Sequence, residues 1–248
     1  MNDVTISIVS HNHDQILVEL LNDLIKCKHH INKVIVTLNV LSKYNTNYEL
    51  YPYEIAVIEN DKEKGFSSNH NNAFKLCTSK YYCILNPDIR IYDNPFQSLN
   101  NILDNNNVAI VSPTALNGKG EIDDNARVFP TPFGLIQKLI GINDGRIKYP
   151  SRKRIIYPDW VAGMFIHTKT STFSSLNGFN EKYYLYYEDV DLCLRARKKG
   201  FKIAIITNCY VVHEGQRKSH NSFKYFFWHS MSLIRFFIYH LGRFPKRN

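Results

Sequence analysis

Three carboxylates and one histidine in this chain sit where chemistry could use them. Asp88 lies in CILNPDIRI (residues 83–91), an apolar run that breaks at Asn86-Pro87 and then resumes in alternation. Proline cannot donate a ladder hydrogen bond, so a strand ends before it. A carboxylate at the carboxyl end of a buried strand faces the crevice where ligands of an α/β sheet bind. A hard oxygen ligand there suits Mg²⁺ or Mn²⁺, which bind through one or two carboxylates plus substrate phosphates. Asn, Pro and Asp are also turn formers, so spacing alone leaves both readings open.

The second group is Glu188-Asp189, with Asp191 two residues on, after the aromatic stretch YYLYY. Acidic residues favour helix N-termini and basic ones C-termini, and the helix predicted up to Lys199, stopped by Gly200, has both. Asp191 and Arg195 have ordinary i,i+4 spacing. Carboxylates beside aromatic walls are also partly desolvated, which raises their pKa and suits a general base. In KGFSSNHNNAF (64–74), Gly65 gives a tight turn before a helix whose free N–H groups could bind an anion or a sugar; a plain polar cap fits equally well. His213 follows a strand, in VVHEGQRKS. It reads as a packed rim residue or, with Arg217 and Lys218 close behind, as part of a metal–diphosphate site.

The elements that must position these residues alternate. Strands are predicted at 4–12, 33–38, 54–60, 81–86 and 108–113, with helices over Asp14–Lys26, 68–77 and 94–104 between them. This pattern predicts an α/β fold with a mostly parallel sheet. Residues 114–158 are irregular and rich in Gly, Pro, Asn and charge, as expected of loops over a site. Regular pattern returns at 160–167, 177–200 and 201–207. There is neither internal repeat nor flexible linker, so one domain with a C-terminal appendage is expected.

The 248 residues, 44% hydrophobic, suffice for a sizeable core. The five scattered cysteines form no CxxC pair and read as reduced core residues of a cytosolic protein. The N-terminus lacks signal-peptide character, and no apolar run reaches the roughly 18 residues of a spanning helix. Net charge is +9, and residues 215–248 hold seven basic residues and no acidic one. Such a tail suggests an anionic partner, membrane surface or nucleic acid; with no nucleic-acid module in the sequence, nucleic acid is not expected.

Taken in order, SIVSHN, Gly65-Phe66 with Asn71, LNPD (85–88), WVAGMFI (160–166), GFNEKYYLYYEDVDLCLRARKKG (178–200) and VVHEG (211–215) resemble inverting nucleotide-sugar glycosyltransferases of family 2. The resemblance is to the bacterial rhamnosyltransferase-like branch that builds O-antigen and capsule polysaccharides, and it covers about residues 4–240. It implies a GT-A fold with a divalent metal cofactor, Mg²⁺ or Mn²⁺. The implied catalytic domain is 1–215, split into a nucleotide-sugar half (1–113) and an acceptor-side half (114–215), with 216–248 appended. By position, Asp88 ends a DxD-like motif with Asn86 in its first place, and His213 matches a residue near the metal. Asp189 matches the general base, with Glu188 orienting the acceptor or sharing the role. Ser10, Asn12, Asn39, Gly65, Phe66, Asn71, Asn86, Asp88, Trp160, Gly163, Met164 and Arg217 are the implied nucleotide-sugar-binding residues. Leu38 before Asn39 and Glu63 before Lys64-Gly65 depart from the family pattern and bear on nucleotide recognition.

The resemblance further implies a nucleoside-diphosphate donor, such as dTDP-rhamnose or a UDP-sugar, and a glycan acceptor on a polyprenyl diphosphate. It implies a cytoplasmic protein peripheral on the inner face of a bacterial plasma membrane. The tail fits both packing and lipid contact: Phe223, Phe227, Ile234, Phe237, Ile238 and Leu241 fall on one side of a helix, with Lys224 and Arg235 away from them. The rival reading is a non-catalytic module of the same fold that binds sugar nucleotide or scaffolds an assembly.

Overall fold

The structure, a computed structural model, describes residues 2–40, 46–105, 107–147, 149, 154–215, 223–240 and 243–244. In chain order the strands are β1 (Val4–Ser10), β2 (Ile31–Leu38), β3 (Glu54–Glu59), β4 (Tyr81–Leu85), β5 (Ile89–Arg90), β6 (Val108–Asn117), β7 (Ala126–Arg127), β8 (Ile155–Ile156), β9 (Trp160–Val161), β10 (Phe165–Lys169) and β11 (Lys202–His213). The helices are α1 (Asp14–Leu24), α2 (Phe66–Phe74), α3 (Phe96–Asn105), α4 (Pro132–Leu139), α5 (Thr170–Ser175), α6 (Glu188–Lys198) and α7 (Phe223–His240).

Nine strands form one sheet in the order β3-β2-β1-β4-β10-β6-β11-β5, with β8 also on β11. Six strands share a direction; β5, β8 and β10 oppose them, so the expected mostly parallel sheet is present. The sheet is covered on both faces, so its central strands are apolar on both. In β4, Tyr81, Cys83 and Leu85 enter one core and Tyr82 and Ile84 the other. In α1, Leu17, Leu20, Leu21 and Leu24 are buried with helical spacing against the first core. Each such leucine contributes about 1.5–3 kcal/mol of burial. The second core lies under α5 and α6 and takes Phe236 from α7.

Several elements differ from the sequence expectation. The helix foreseen at 68–77 starts at Phe66, because Gly65 is its N-cap and the preceding turn ends there. The irregular region contains α4, opened by Thr131, whose hydroxyl accepts from Gly134 N at 3.0 Å, with Pro132 in the first turn. The tail helix does pack on the domain, one of the two roles its sequence left open: Asp191 Oδ1 meets His240 Nε2 at 2.7 Å, and Ser232 Oγ donates to Leu185 O at 2.9 Å. Among the described residues no helix is long and apolar enough to cross a membrane.

Candidate active site

The break at Asn86-Pro87 separates fully buried β4 from β5, which crosses to the end of β11. Ile89 pairs with His213, and Glu214 N donates to Asp88 O at 2.9 Å, so Asp88 and His213 meet although they are far apart in sequence. Arg90 fixes β5 to α1, giving Asp23 Oδ2 its Nε–H at 2.7 Å and Glu19 Oε2 its Nη1–H at 2.9 Å. His213 Nε2 stands 3.4 Å from Asp88 Oδ2, and Nδ1 is 2.7 Å from Asp123 Oδ2. Burial opposes charge on this imidazole, but Asp88 and Asp123 together raise its pKa to about 9. Asp88 Oδ1 is buried and has no hydrogen-bond partner.

That orphaned oxygen fits a divalent cation, and His213 Nε2 joins it only once the imidazole has given up its proton. Among the described residues no three His, Cys, Asp or Glu side chains form a ready cage, so the other ligands must come from substrate phosphates or water. Asp123 escaped sequence reasoning. EIDDN reads as a solvated turn, and only the fold brings it to His213; the acidic pair in a loop-like region was the one available signal.

The second station lies across the Gly163-Met164 dipeptide. Gly163 N donates to Asp189 Oδ2 at 2.9 Å, and Asn86 N donates to Met164 O at 2.9 Å. One backbone link therefore joins the Asp189 carboxylate to the turn that carries Asp88. Asp189 Oδ1 also accepts from Val190 N at 2.8 Å. Burial raises Asp189 to about 6 despite these hydrogen bonds, and pushes buried Glu188 well above the carboxylate range, with Asp189's charge adding to it. Both carboxyls are thus pushed upward, and two so close together resist ionising at once. Tyr186 and Tyr187 are both left-handed, with φ of 69° and 68°, which turns the chain sharply into α6.

Asp189 and Glu188 open onto a cavity of about 650 Å³ walled by Phe133, Trp160, Tyr187 and His229. Trp160 is anchored by its Nε1–H to Val128 O at 2.9 Å. From the other side Phe66 meets Gly163, where a Cβ would lie 3.3 Å from its ring, and Phe66 N donates to Tyr184 O at 2.9 Å.

The remaining predicted residues divide. Ser10 is buried at the end of β1 and its Oγ accepts from His13 N at 3.3 Å; Asn12, with φ of 60°, is exposed at the same edge. Asn39 spans the ends of β2 and β3: its Nδ2 donates to Lys64 O and its Oδ1 accepts from Lys64 N, both at 2.9 Å. Asn71 ties α2 to the Gly178–Glu181 turn through both Phe179 N and Phe179 O at 2.9 Å. Glu63 accepts from Tyr184 OH at 2.8 Å. Arg217 and its neighbour Lys218 lie outside the described residues.

A mostly parallel sheet with Asp88 at its carboxyl edge and a carboxylate pair facing a second half is the GT-A architecture of glycosyltransferases. By fold the chain superposes on GalNAc-T7 solved with UDP, GalNAc and Mn²⁺, with a TM-score of 0.70 at 12% identity; the match covers 96% of this chain and 48% of that one, about half its length. A mannosyltransferase of Pyrobaculum calidifontis, solved with GDP-Man and Mn²⁺, superposes with a TM-score of 0.64 at 14% identity, covering 98% and 66%. Residues 5–169 match glycosyl transferase family 2, and the chain belongs to that family. Rhamnosyltransferase WbbL of Escherichia coli K12 is 28% identical over 94% of this chain and 92% of its own length. An N-acetylglucosaminyl-diphospho-decaprenol L-rhamnosyltransferase of Mycobacterium tuberculosis is 33% identical over 25% of this chain and 20% of its own. The protein is a rhamnosyltransferase-like glycosyltransferase, and the non-catalytic alternative is set aside.

Proposed function

We propose that the protein is a metal-dependent inverting transferase that moves rhamnose or another hexose from a nucleoside-diphosphate donor, dTDP- or UDP-linked, to a glycan on a polyprenyl diphosphate. The observation that carries this reading is the Gly163-Met164 link, through which the Asp189 carboxylate and the Asp88 turn are tied to one dipeptide. The relatives whose names specify rhamnosyl transfer and a decaprenol-diphosphate acceptor support the choice of sugar and acceptor.

In this reading residues 1–113 hold the donor, with Ser10, Asn12, Gly65, Phe66 and Asn86 along the sheet edge and Asn39 and Asn71 bracing the turns beside it, and 114–215 hold the acceptor. Asp88 and His213 would hold a Mg²⁺ or Mn²⁺ ion, which supplies Lewis-acid stabilisation of the departing diphosphate. Trp160, Gly163 and Met164 line the sugar. Asp189, ionised at neutral pH, takes the proton of the acceptor hydroxyl. The hydroxyl oxygen then bonds to the anomeric carbon as the bond to the nucleoside diphosphate breaks, inverting the centre. Glu188, when protonated, can donate a hydrogen bond that orients the acceptor. The exposed apolar face of α7, in a strongly basic tail, fits peripheral binding at the membrane that carries such an acceptor. The role is in bacterial surface polysaccharide synthesis, O-antigen or capsule, on the cytoplasmic face.

Asp189→Asn tests the base. Removal of a positioned general base lowers turnover by about 10²–10⁴, read as nucleoside diphosphate released in the presence of acceptor. In the wild type, kcat/KM falls as pH drops through about 6, where Asp189 protonates. Wild-type turnover by a folded Asp189→Asn protein removes the assignment.

A further inference from the structure

α4 is apolar, yet none of its described side chains is buried. Phe133 is 69% exposed and Ile140 63%, with Ile136 on the same stripe and exposed Ile142 just beyond. α7 buries only Ser232, Phe236 and His240, and leaves a stripe of Phe223, Phe227, Met231, Ile234 and Ile238 open to solvent. Phe223 is 83% exposed and Ile238 74%. The stripes recur at helical spacing, so each helix presents a continuous apolar face.

The two helices flank one opening. The cavity beside Asp189 is lined by Phe133 and Lys138 from α4 and by His229 from α7. Lys138 is close enough to His229 for its charge to add to the burial that lowers the imidazole pKa. Phe129, just before α4, and Phe244, just after α7, have ring centroids 6.1 Å apart.

Charge follows the same two segments. Residues 132–154 carry six basic residues and one acidic; residues 215–248 carry seven basic and none acidic. Together they hold +12 of a chain whose net charge is +9, so the rest is net negative at −3. Exposed apolar helix faces in segments of such basic composition are what an anionic bilayer surface attracts, by burial and by charge at once. A second copy would set this positive surface against itself, and protein interfaces exclude lysine from their centres.

We propose that α4 is a second membrane-docking element, which enters an anionic lipid surface together with α7 so that the cavity opens towards the headgroups between them. This rests on the peripheral-membrane reading above and extends it: the acceptor, anchored in the bilayer, reaches Asp189 without leaving the lipid surface. Two separated contacts also fix the tilt of the protein, which a single helix leaves free to roll about its axis.

The test is flotation with vesicles of phosphatidylcholine containing about a third phosphatidylglycerol. Ile136→Ser/Ile140→Ser/Ile142→Ser removes the α4 face without touching the walls of the cavity. It should weaken binding about tenfold or more, while thermal unfolding and turnover on a water-soluble acceptor stay as in the wild type. Independently, the indole added by Ile140→Trp should shift to shorter wavelength on anionic vesicles and be quenched by brominated lipid. Unchanged flotation of the triple variant, or an unshifted indole, overturns the role of α4 even if Ile234→Ser/Ile238→Ser abolishes binding and α7 keeps its role. Wild-type protein that ignores vesicles and instead self-associates removes both α4 and the membrane reading beneath it.

Discussion

Gly65→Ala is the sharpest probe of how the loop leading into Glu188-Asp189 is held. A Cβ at Gly65 would lie 2.5 Å from Tyr184 O and 2.9 Å from Tyr184 Cα, where ordinary contact begins at 3.4 Å. Both atoms are backbone, so no rotamer relieves the clash and the 184–187 segment must retreat by about 0.9 Å. That retreat breaks the 2.9 Å bond from Phe66 N to Tyr184 O, which satisfies a first-turn donor of α2. Overpacking costs about 1–3 kcal/mol and a lost hydrogen bond about 1 kcal/mol, so a destabilisation of about 2–4 kcal/mol is expected. The same segment leads through left-handed Tyr186 and Tyr187 into Glu188-Asp189, and misplacement of a catalytic group by about 1 Å can cost about 10²-fold in rate. Urea unfolding and donor turnover, measured together, read both effects. Gly118→Ala is the control, since a Cβ there meets nothing within 4 Å. If Gly65→Ala unfolds within about 0.5 kcal/mol of wild type and keeps its turnover, the loop is not held by this close approach.

Arg90→Ala should destabilise by about 2–4 kcal/mol, because it leaves Asp23 nearly buried without its partner. Burial works against the Asp23 charge, but Arg90 and the Ile91 N–H more than offset it and hold its carboxyl below 3.8. Its contribution is therefore present above that value and lost as pH falls through the lower folded pKa, and the variant's stability should depend less on pH there. Asp123→Asn should weaken Mn²⁺ binding by about 10–100-fold, because the carboxylate orients the His213 ring. Calorimetric titration of Mn²⁺ with nucleoside diphosphate present reads this, and unchanged affinity would assign Asp123 to the loop alone.

The legible parts of the sequence were those with local signals. The apolar runs of β1, β2, β4 and β6 and the leucine spacing of α1 declare themselves within one element. So does the Pro87 break, although what lies opposite it does not. Asp123 and His213 are 90 residues apart, and nothing local marks them as partners. α4 was hidden because the apolar face of a helix is normally recognised through what it packs on, and its residues pack on little. Asn39 and Asn71 are at the expected places, but their amides hold neighbouring turns, a distinction that residue type cannot carry.

The position of β10 sets the order in which the chain can assemble. Among the described residues β6 has only β10 and β11 as sheet neighbours, and both are made after it. When residue 117 leaves the ribosome, β6 therefore has two bare edges, and β4 waits for the strand that will lie between it and β6. Exposed apolar edges of this kind invite pairing with other chains. The segments before and after residue 113 are thus not separate folding units. A truncation after residue 113 should yield a sticky, incomplete sheet, and any exchange of the later segment between relatives must preserve the pairing of β10 with β4 and of β11 with β6.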